Sequence, residues 1–193
     1  MDKHKNKIIW VIIFSVAMAF LESSVVYYLR IIYYPDGFKL PLKPIINETL
    51  IVELFRELAT IIMLISIAVI SGEKFWERFA YFIISFGIWD IFYYVFLKLI
   101  LDWPASLLDW DILFLIPVPW IGPVIAPVTI ALIMIICGII ILCFFKKGYE
   151  LKPVFLSYIF VIIGMGLILY SFMYDTDATL TRLKQFEHKN NKI

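Results

Sequence analysis

The chain has few of the residues that form disulfides or bind transition metals, with only two cysteines and two histidines among 193 residues. Cys137 and Cys143 lie six residues apart in one apolar run, which puts them on different faces of a helix, so we expect free thiols. His4 and His188 lie in polar terminal segments. This placement argues against a haem or a histidine-held zinc or copper site inside a membrane.

An excess of charge of one sign is also missing. Lysine and arginine total 17 and aspartate and glutamate total 16, so the net charge of +1 gives no reason to expect a nucleic-acid partner. No serine–histidine dyad, phosphate-binding loop or reactive-thiol motif is present. Apolar residues are abundant, at 63% of the chain, whereas soluble domains contain about 45–50%. The composition therefore predicts an integral membrane protein surrounded by a lipid bilayer.

Five runs of the sequence are long and apolar enough to form transmembrane helices, each of which needs about 20 residues. These runs are residues 8–29, 46–71, 79–100, 119–145 and 153–174. We predict an all-α membrane protein in which residues 1–175 form a single transmembrane bundle. Residues 176–193 are predicted to form a polar C-terminal tail.

The segment between the third and fourth spans, residues 101–117, is amphipathic and acidic. Pro104 and Pro117 disfavour a regular helix here. We expect an interfacial or re-entrant segment, since irregular backbone at membrane depth is tolerated only where protein or a water-filled cavity covers it.

The distribution of lysine and arginine predicts a multi-pass protein of the cell membrane with its N-terminus in the cytoplasm. With five spans the C-terminal tail then lies outside, although it carries four basic residues. A sixth, re-entrant crossing would reverse the side of the tail, so this alternative stays open.

Three charged residues, Glu53, Arg56 and Glu57, interrupt the second predicted span. Thr49 and Thr60 fall on the same face of the helix, which makes one polar stripe. A charge inside a bilayer costs about 3 kcal/mol on insertion scales, so such residues usually face a bundle interior, pair with one another or serve a function. The stripe predicts a polar site within the membrane.

Other charged residues fall at the same depth as this stripe, in the outer half of the bilayer. Glu22 belongs to the first span, Asp90 and Lys98 belong to the third, and Asp109 and Asp111 belong to the acidic segment. Inverting the topology moves all of these positions together, so the coincidence of depth does not depend on orientation. We predict that they contribute to one ligand-binding or proton-binding site.

This predicted site contains more acid than base. Six carboxylates face three cations: Glu22, Glu53, Glu57, Asp90, Asp109 and Asp111 against Arg30, Arg56 and Lys98. Three outcomes are open: some acids are protonated, a hard divalent cation such as Mg²⁺, Ca²⁺ or Mn²⁺ is bound, or Asp109 and Asp111 face water. If a metal is bound, we expect its ligands to be four of these acids: Glu22, Glu53, Glu57 and Asp90.

These features support three hypotheses on function. The leading one is binding or transport of a cation or of protons, with Arg56 tuning the acids or clamping an anionic group. The second is a metal-dependent membrane enzyme acting on a lipid-linked or phosphorylated substrate, with Arg56 and Lys98 meeting the phosphate. The third is a non-catalytic assembly or accessory subunit, within a homo-oligomer or with a partner subunit, in which the charges are structural.

Four stretches of the chain together resemble a group of uncharacterised prokaryotic polytopic membrane proteins: Val52–Thr60, Phe86–Tyr94, Trp103–Leu107 and Asp111–Trp120. The resemblance covers roughly residues 22 to 130. It implies a polytopic membrane fold, and it supplies no activity, cofactor or ligand.

Overall fold

The computed structural model describes residues 3–33, 47–114, 120–149 and 151–190, with side chains described for 6–32, 50–114, 120–149 and 151–174. It contains five helices: α1 Lys3–Tyr33, α2 Asn47–Ser71, α3 Phe75–Leu101, α4 Ile125–Lys146 and α5 Phe155–Asn190. Two short strands, β1 Trp110–Phe114 and β2 Trp120–Pro123, form an antiparallel hairpin between α3 and α4. All five helices are long and apolar enough to cross a membrane, as expected of a multi-pass membrane protein.

Each of the five predicted spans lies on one helix, and the largest differences are at the last two. Helix α4 begins at Ile125 rather than at residue 119, because residues 120–123 are paired as a strand. Helix α5 continues to Asn190, so the predicted tail is helical over most of its length. The all-α prediction is therefore right for the five helices and incomplete at the hairpin.

Helix α3 lies at the centre and packs against α1, α2 and α4. One apolar cluster takes a buried residue from each of the four helices: Val11, Ala68, Tyr81 and Leu142. Ser15 and Ser85 form a buried hydrogen bond of 2.8 Å between α1 and α3. Gly87 lets α4 approach closely, because a Cβ atom there would lie 2.6 Å from the backbone oxygen of Ala131.

The hairpin lies at the end of the bundle where α3 ends and α4 begins, which we call the hairpin end. Helix α3 is terminated by Asp102, whose backbone adopts the left-handed conformation with φ 52°. The Asp109 carboxylate then accepts hydrogen bonds from the backbone N–H groups of Ala105 and Ser106, which fixes the turn before β1. The predicted interfacial or re-entrant segment is thus a turn followed by a hairpin, and its position relative to a membrane stays a prediction.

Helix α5 packs mainly against the hairpin rather than against the other helices. The rings of Phe172 and Trp120 stack with centroids 6.5 Å apart. An open apolar groove of about 480 Å³ separates α5 from α4, with Ile130 and Leu167 on its two walls. We refer below to α1–α4 as the four-helix bundle and treat α5 separately.

Candidate functional site

Arg56 joins two carboxylates from different helices. Its Nη1 atom forms an ion pair with Oε1 of Glu22 on α1, and its Nη2 and Nε atoms lie 2.7 and 2.8 Å from Oε2 of Glu53. Thr60 donates a hydrogen bond of 3.2 Å to the second oxygen of Glu22. Helical spacing places Glu53, Arg56 and Thr60 on one face of α2, and Glu22 approaches that face from α1. We call Glu22, Glu53, Arg56 and Thr60 the Arg56 cluster.

The Arg56 cluster is buried and internally paired. Glu53 is 5% exposed, and burial of an unpaired charge at such a position would cost several kcal/mol, roughly 3–5 when one partner is removed. The planar guanidinium can serve two carboxylates at once, as it does here. Because its donors are directed at Glu22 and Glu53, Arg56 is poorly placed to clamp an external anion.

Glu57 is buried one residue further along α2 and interacts electrostatically with Arg56. Its carboxylate adds a third acid beside a single arginine. The polar stripe predicted from the sequence therefore faces the bundle interior at Glu53, Glu57 and Thr60, while the side chain of Thr49 lies outside the described residues.

A second buried ion pair ties the hairpin to α1. Nη2 of Arg30 donates to Oδ1 of Asp111 at 3.3 Å, and the two residues are 8% and 3% exposed. The Arg30 guanidinium also lies 3.8 Å from the ring centroid of Trp103, a cation–π contact. Of the three outcomes open for the acids, exposure to water is therefore wrong for Asp111.

Asp111 is held in an unusual environment for a carboxylate. Burial raises the pKa of Asp111 from its ordinary value of 3.8 to about 6, although the Arg30 guanidinium acts in the opposite direction. Its Oδ2 atom is buried, and the Tyr94 hydroxyl and the Ile112 backbone N–H donate hydrogen bonds to the carboxylate.

Asp90 and Tyr93 lie on α3 between the two ion-paired groups. Asp90 is half-buried and interacts electrostatically with Asp111. Tyr93 interacts electrostatically with both arginines, Arg30 and Arg56, and with both aspartates. The two groups therefore belong to one electrostatically connected region at the hairpin end.

Two of the predicted site residues lie apart from this region. Lys98 pairs with Asp102 at 2.7 Å, and both side chains are well exposed. Asp109 binds backbone N–H groups of its own turn. The structure thus brings together six of the eight predicted ligand or proton-binding residues: Glu22, Glu53, Arg56, Glu57, Asp90 and Asp111.

Three residues of this region are not among the predicted ligands. Thr60 lies on the polar stripe of α2, so the stripe itself could have identified it. Tyr93 could have been found by its position three residues after Asp90, on the same helix face. Arg30 was counted as a cation near the site, but its pairing with Asp111 depends on the hairpin, which the sequence pattern did not predict.

The predicted metal ligands do not form a metal site among the described residues. No group of three or more histidine, cysteine, aspartate or glutamate side chains in the described part of the chain is arranged to hold a metal ion. The carboxylates of Glu22 and Glu53 already face the Arg56 guanidinium, which would repel a cation placed between them. A set made of Glu22, Glu53, Glu57 and Asp90 therefore has no geometric support.

Comparison of the chain with protein-family models, with curated proteins and with solved structures gave no match. No family model thus supports the resemblance seen in the sequence.

Proposed function

We propose that this chain is a multi-pass protein of the cell membrane, with a cytoplasmic N-terminus, whose outer-half polar site binds or transports protons. The broader class of ligand is a small cation, of which the proton is one member. The observation that carries the proposal is the excess of acid among the connected, described side chains. Five carboxylates accompany two cations: Glu22, Glu53, Glu57, Asp90 and Asp111 with Arg30 and Arg56.

Full ionisation of these groups would leave a net negative charge of three in a region that water reaches poorly. Burial and like charge both disfavour such a state, so some of the acids take up protons or a cation. Both oxygens of Glu22 already have donors, from Arg56 and Thr60. Asp90 has no ion pair or hydrogen bond with another described side chain, which makes it the better candidate for an exchangeable proton.

Proton flux into liposomes tests this proposal. The purified protein is reconstituted with a pH-sensitive dye inside the vesicles, and a membrane potential is imposed with potassium and valinomycin. We expect flux with the native chain, loss of flux with Asp90→Asn, and native flux with Asp102→Asn, a matched change at an exposed acid. Native flux in Asp90→Asn would contradict the assigned role of Asp90.

A second candidate is a non-catalytic assembly or accessory subunit, in a homo-oligomer or with a partner subunit. The specific observation in its favour is that Arg56 and Thr60 on α2 both bind Glu22 on α1, so these polar groups hold two helices together. This function predicts no proton flux at all and a stoichiometric partner or second copy in the purified sample. Size-exclusion chromatography with light scattering measures that stoichiometry.

An enzyme acting on a lipid-linked or phosphorylated substrate is not proposed. Arg56 is engaged by two carboxylates, and Lys98 lies with Asp102 at the exposed end of α3. The two cations expected to meet a phosphate therefore do not converge.

A further inference from the structure

A row of side chains with polar groups runs along the central helix α3. These side chains recur at every fourth position: Glu77, Tyr81, Ser85, Trp89 and Tyr93. Residues four apart are neighbours on a helix surface and form a continuous ridge. At about 1.5 Å per residue the ridge covers about 24 Å, whereas the hydrocarbon core of a bilayer is about 30 Å thick. We call these five residues the α3 row.

The α3 row faces the interior of the four-helix bundle. Four of its members are no more than 6% exposed: Glu77, Tyr81, Ser85 and Trp89. Ser15 of α1 meets the row at Ser85, through the hydrogen bond of 2.8 Å. Apolar side chains are sufficient to pack a bundle interior, and buried polar groups cost free energy unless they are paired. Their recurrence along a whole span therefore favours a role beyond packing.

One end of the α3 row lies at the turn between α2 and α3, which we call the turn end. Here Oε2 of Glu77 accepts a hydrogen bond of 2.7 Å from the backbone N–H of Glu73. The Glu73 side chain is 73% exposed, and its Oε1 atom lies 3.8 Å from Nζ of Lys7, near the start of α1. Glu77 is thus a buried acid beside an exposed turn, on the cytoplasmic side in the proposed orientation.

The other end of the α3 row lies in the electrostatically connected region at the hairpin end. Tyr93 interacts electrostatically with Arg56 and Asp90. At the turn end, Tyr81 interacts electrostatically with Glu77. The row therefore joins a buried acid near one surface of the bundle to the acid-rich region near the other.

The side chains of the α3 row differ in how they handle protons. Tyrosine and serine hydroxyl groups both donate and accept hydrogen bonds, so they can pass a proton on, whereas a tryptophan indole N–H only donates. Nε1 of Trp89 is buried and has no hydrogen-bond acceptor among the described residues. Such a donor is costly to leave unpaired, and buried water commonly supplies the acceptor. A water molecule bound by Trp89 would lie between Ser85 and Tyr93, where the row has no hydroxyl group.

We propose that the α3 row is a proton route across the four-helix bundle, with Glu77 as its proton-binding group at the turn end and Asp90 at the other. The inference rests on the proposed function, to which it adds a second terminal acid and the path between the two. Successive members of the row are about 6 Å apart along the helix, so water molecules bridge them. Each hydroxyl group gives one proton to the next acceptor and receives one from the previous donor. The charge therefore changes only at Glu77 and Asp90.

A purely structural role uses some of the same contacts. A carboxylate in the first turn of a helix stabilises that end when it binds a backbone N–H, as Glu77 does in α3. The bond between Ser15 and Ser85 likewise holds α1 against α3. Neither contact involves the hydroxyl group of Tyr81, so removal of that group separates a proton route from a structural row.

Proton flux into liposomes, driven by a potassium gradient and valinomycin, tests the inference with Tyr81→Phe. This change removes one oxygen atom and keeps the ring that packs in the bundle. We expect loss of flux in Tyr81→Phe and native flux in Tyr170→Phe, a matched change at a tyrosine of α5 that is 66% exposed. Native flux in Tyr81→Phe would overturn the proposal.

Two substitutions of Glu77 separate its proton from its hydrogen bond. Glu77→Gln keeps an oxygen for the Glu73 N–H and cannot exchange a proton, so we expect loss of flux from a bundle that stays folded. Glu77→Asp keeps the carboxyl group on a shorter side chain, so we expect partial flux. Equal flux in the two variants would overturn the role of Glu77, because flux would then not follow the carboxyl group. Glu73→Gln changes the exposed acid of the same turn and should keep native flux.

The Asp90→Asn variant distinguishes failure of this inference from failure of the proposed function. Flux that is lost in Asp90→Asn and kept in Tyr81→Phe and Glu77→Gln would overturn the proton route alone. Absence of flux in the native chain would overturn the proposed function, and the route would fail with it.

Discussion

The four-helix bundle and α5 have similar apolar character but very different surroundings. Helix α3 buries residues along most of its length, including Glu77, Ser85 and Trp89. Helix α5 has no buried residue in its most apolar stretch, and its Phe172 ring stacks on Trp120 of the hairpin. Since lipid is as apolar as leucine, hydrophobicity alone does not make helices associate in a bilayer. Polar links and close contacts at small residues distinguish the central helix from the peripheral one.

The glycines show the same difference at atomic scale. A Cβ atom at Gly87 or Gly138 would meet atoms of a neighbouring helix at 2.6 and 2.5 Å. At Gly164 and Gly166 of α5, a Cβ atom would meet nothing within 4 Å. Close packing is therefore a property of the four-helix bundle.

The largest effect is expected from Arg56→Met. Removal of the guanidinium leaves Glu22 and Glu53 buried without their cation, which should lower the free energy of unfolding by about 3–5 kcal/mol. Unfolding in mixed detergent micelles measures this change. Lys98→Met is the matched control, since the Lys98–Asp102 pair is exposed and should contribute about 0–1 kcal/mol. Equal losses in both variants would mean that the Arg56 cluster is no more important for stability than a surface pair.

A smaller effect is expected from a single added methyl group. Gly87→Ala places a Cβ atom against the backbone oxygen of Ala131, which cannot move without shifting α4, so we expect a loss of about 1–3 kcal/mol. Gly164→Ala meets open space and should leave stability unchanged or slightly higher, by less than about 1 kcal/mol. The same unfolding measurement compares them, and a destabilised Gly164→Ala would show that α5 packs closely against a neighbour at this position.

The smallest effect is expected from Ser85→Ala. This change removes the hydrogen bond to Ser15 that joins α1 and α3, and hydrogen bonds between membrane helices contribute about 0.6 kcal/mol on average. Ser66→Ala is the control, because the Ser66 hydroxyl is exposed and binds the Ile62 carbonyl of its own helix. A lower stability of Ser85→Ala than of Ser66→Ala supports the interhelical bond, and identical stabilities would mean that this bond does not stabilise the bundle.

The sequence was sufficient to predict the five helices. Long apolar runs reflect the length of chain needed to cross a bilayer, so the helices could be located within a few residues. Charges inside such runs have few acceptable environments, which is why Glu22, Glu53 and Arg56 were expected at one level. These three side chains are in direct contact, and their depth in a membrane stays a prediction.

The partners of individual residues could not be predicted in the same way. The rotation of each helix about its axis decides whether Arg56 meets Glu22 or Asp90, and spacing along one helix does not contain that information. The hairpin was missed because its strands are only five and four residues long and follow proline-rich sequence. The burial of Asp111 depends on that hairpin, so its pairing with Arg30 could not be predicted either.

The peripheral position of α5 has a consequence for how the protein is made. The four-helix bundle and both strands are encoded by residues up to Lys146, before α5 begins at Phe155. A ribosome therefore completes every element of the bundle before it makes the last helix, which then needs only the exposed side of the hairpin as its docking place. Synthesis and assembly can proceed in the same order, with the segment that contributes least to the packed interior arriving last.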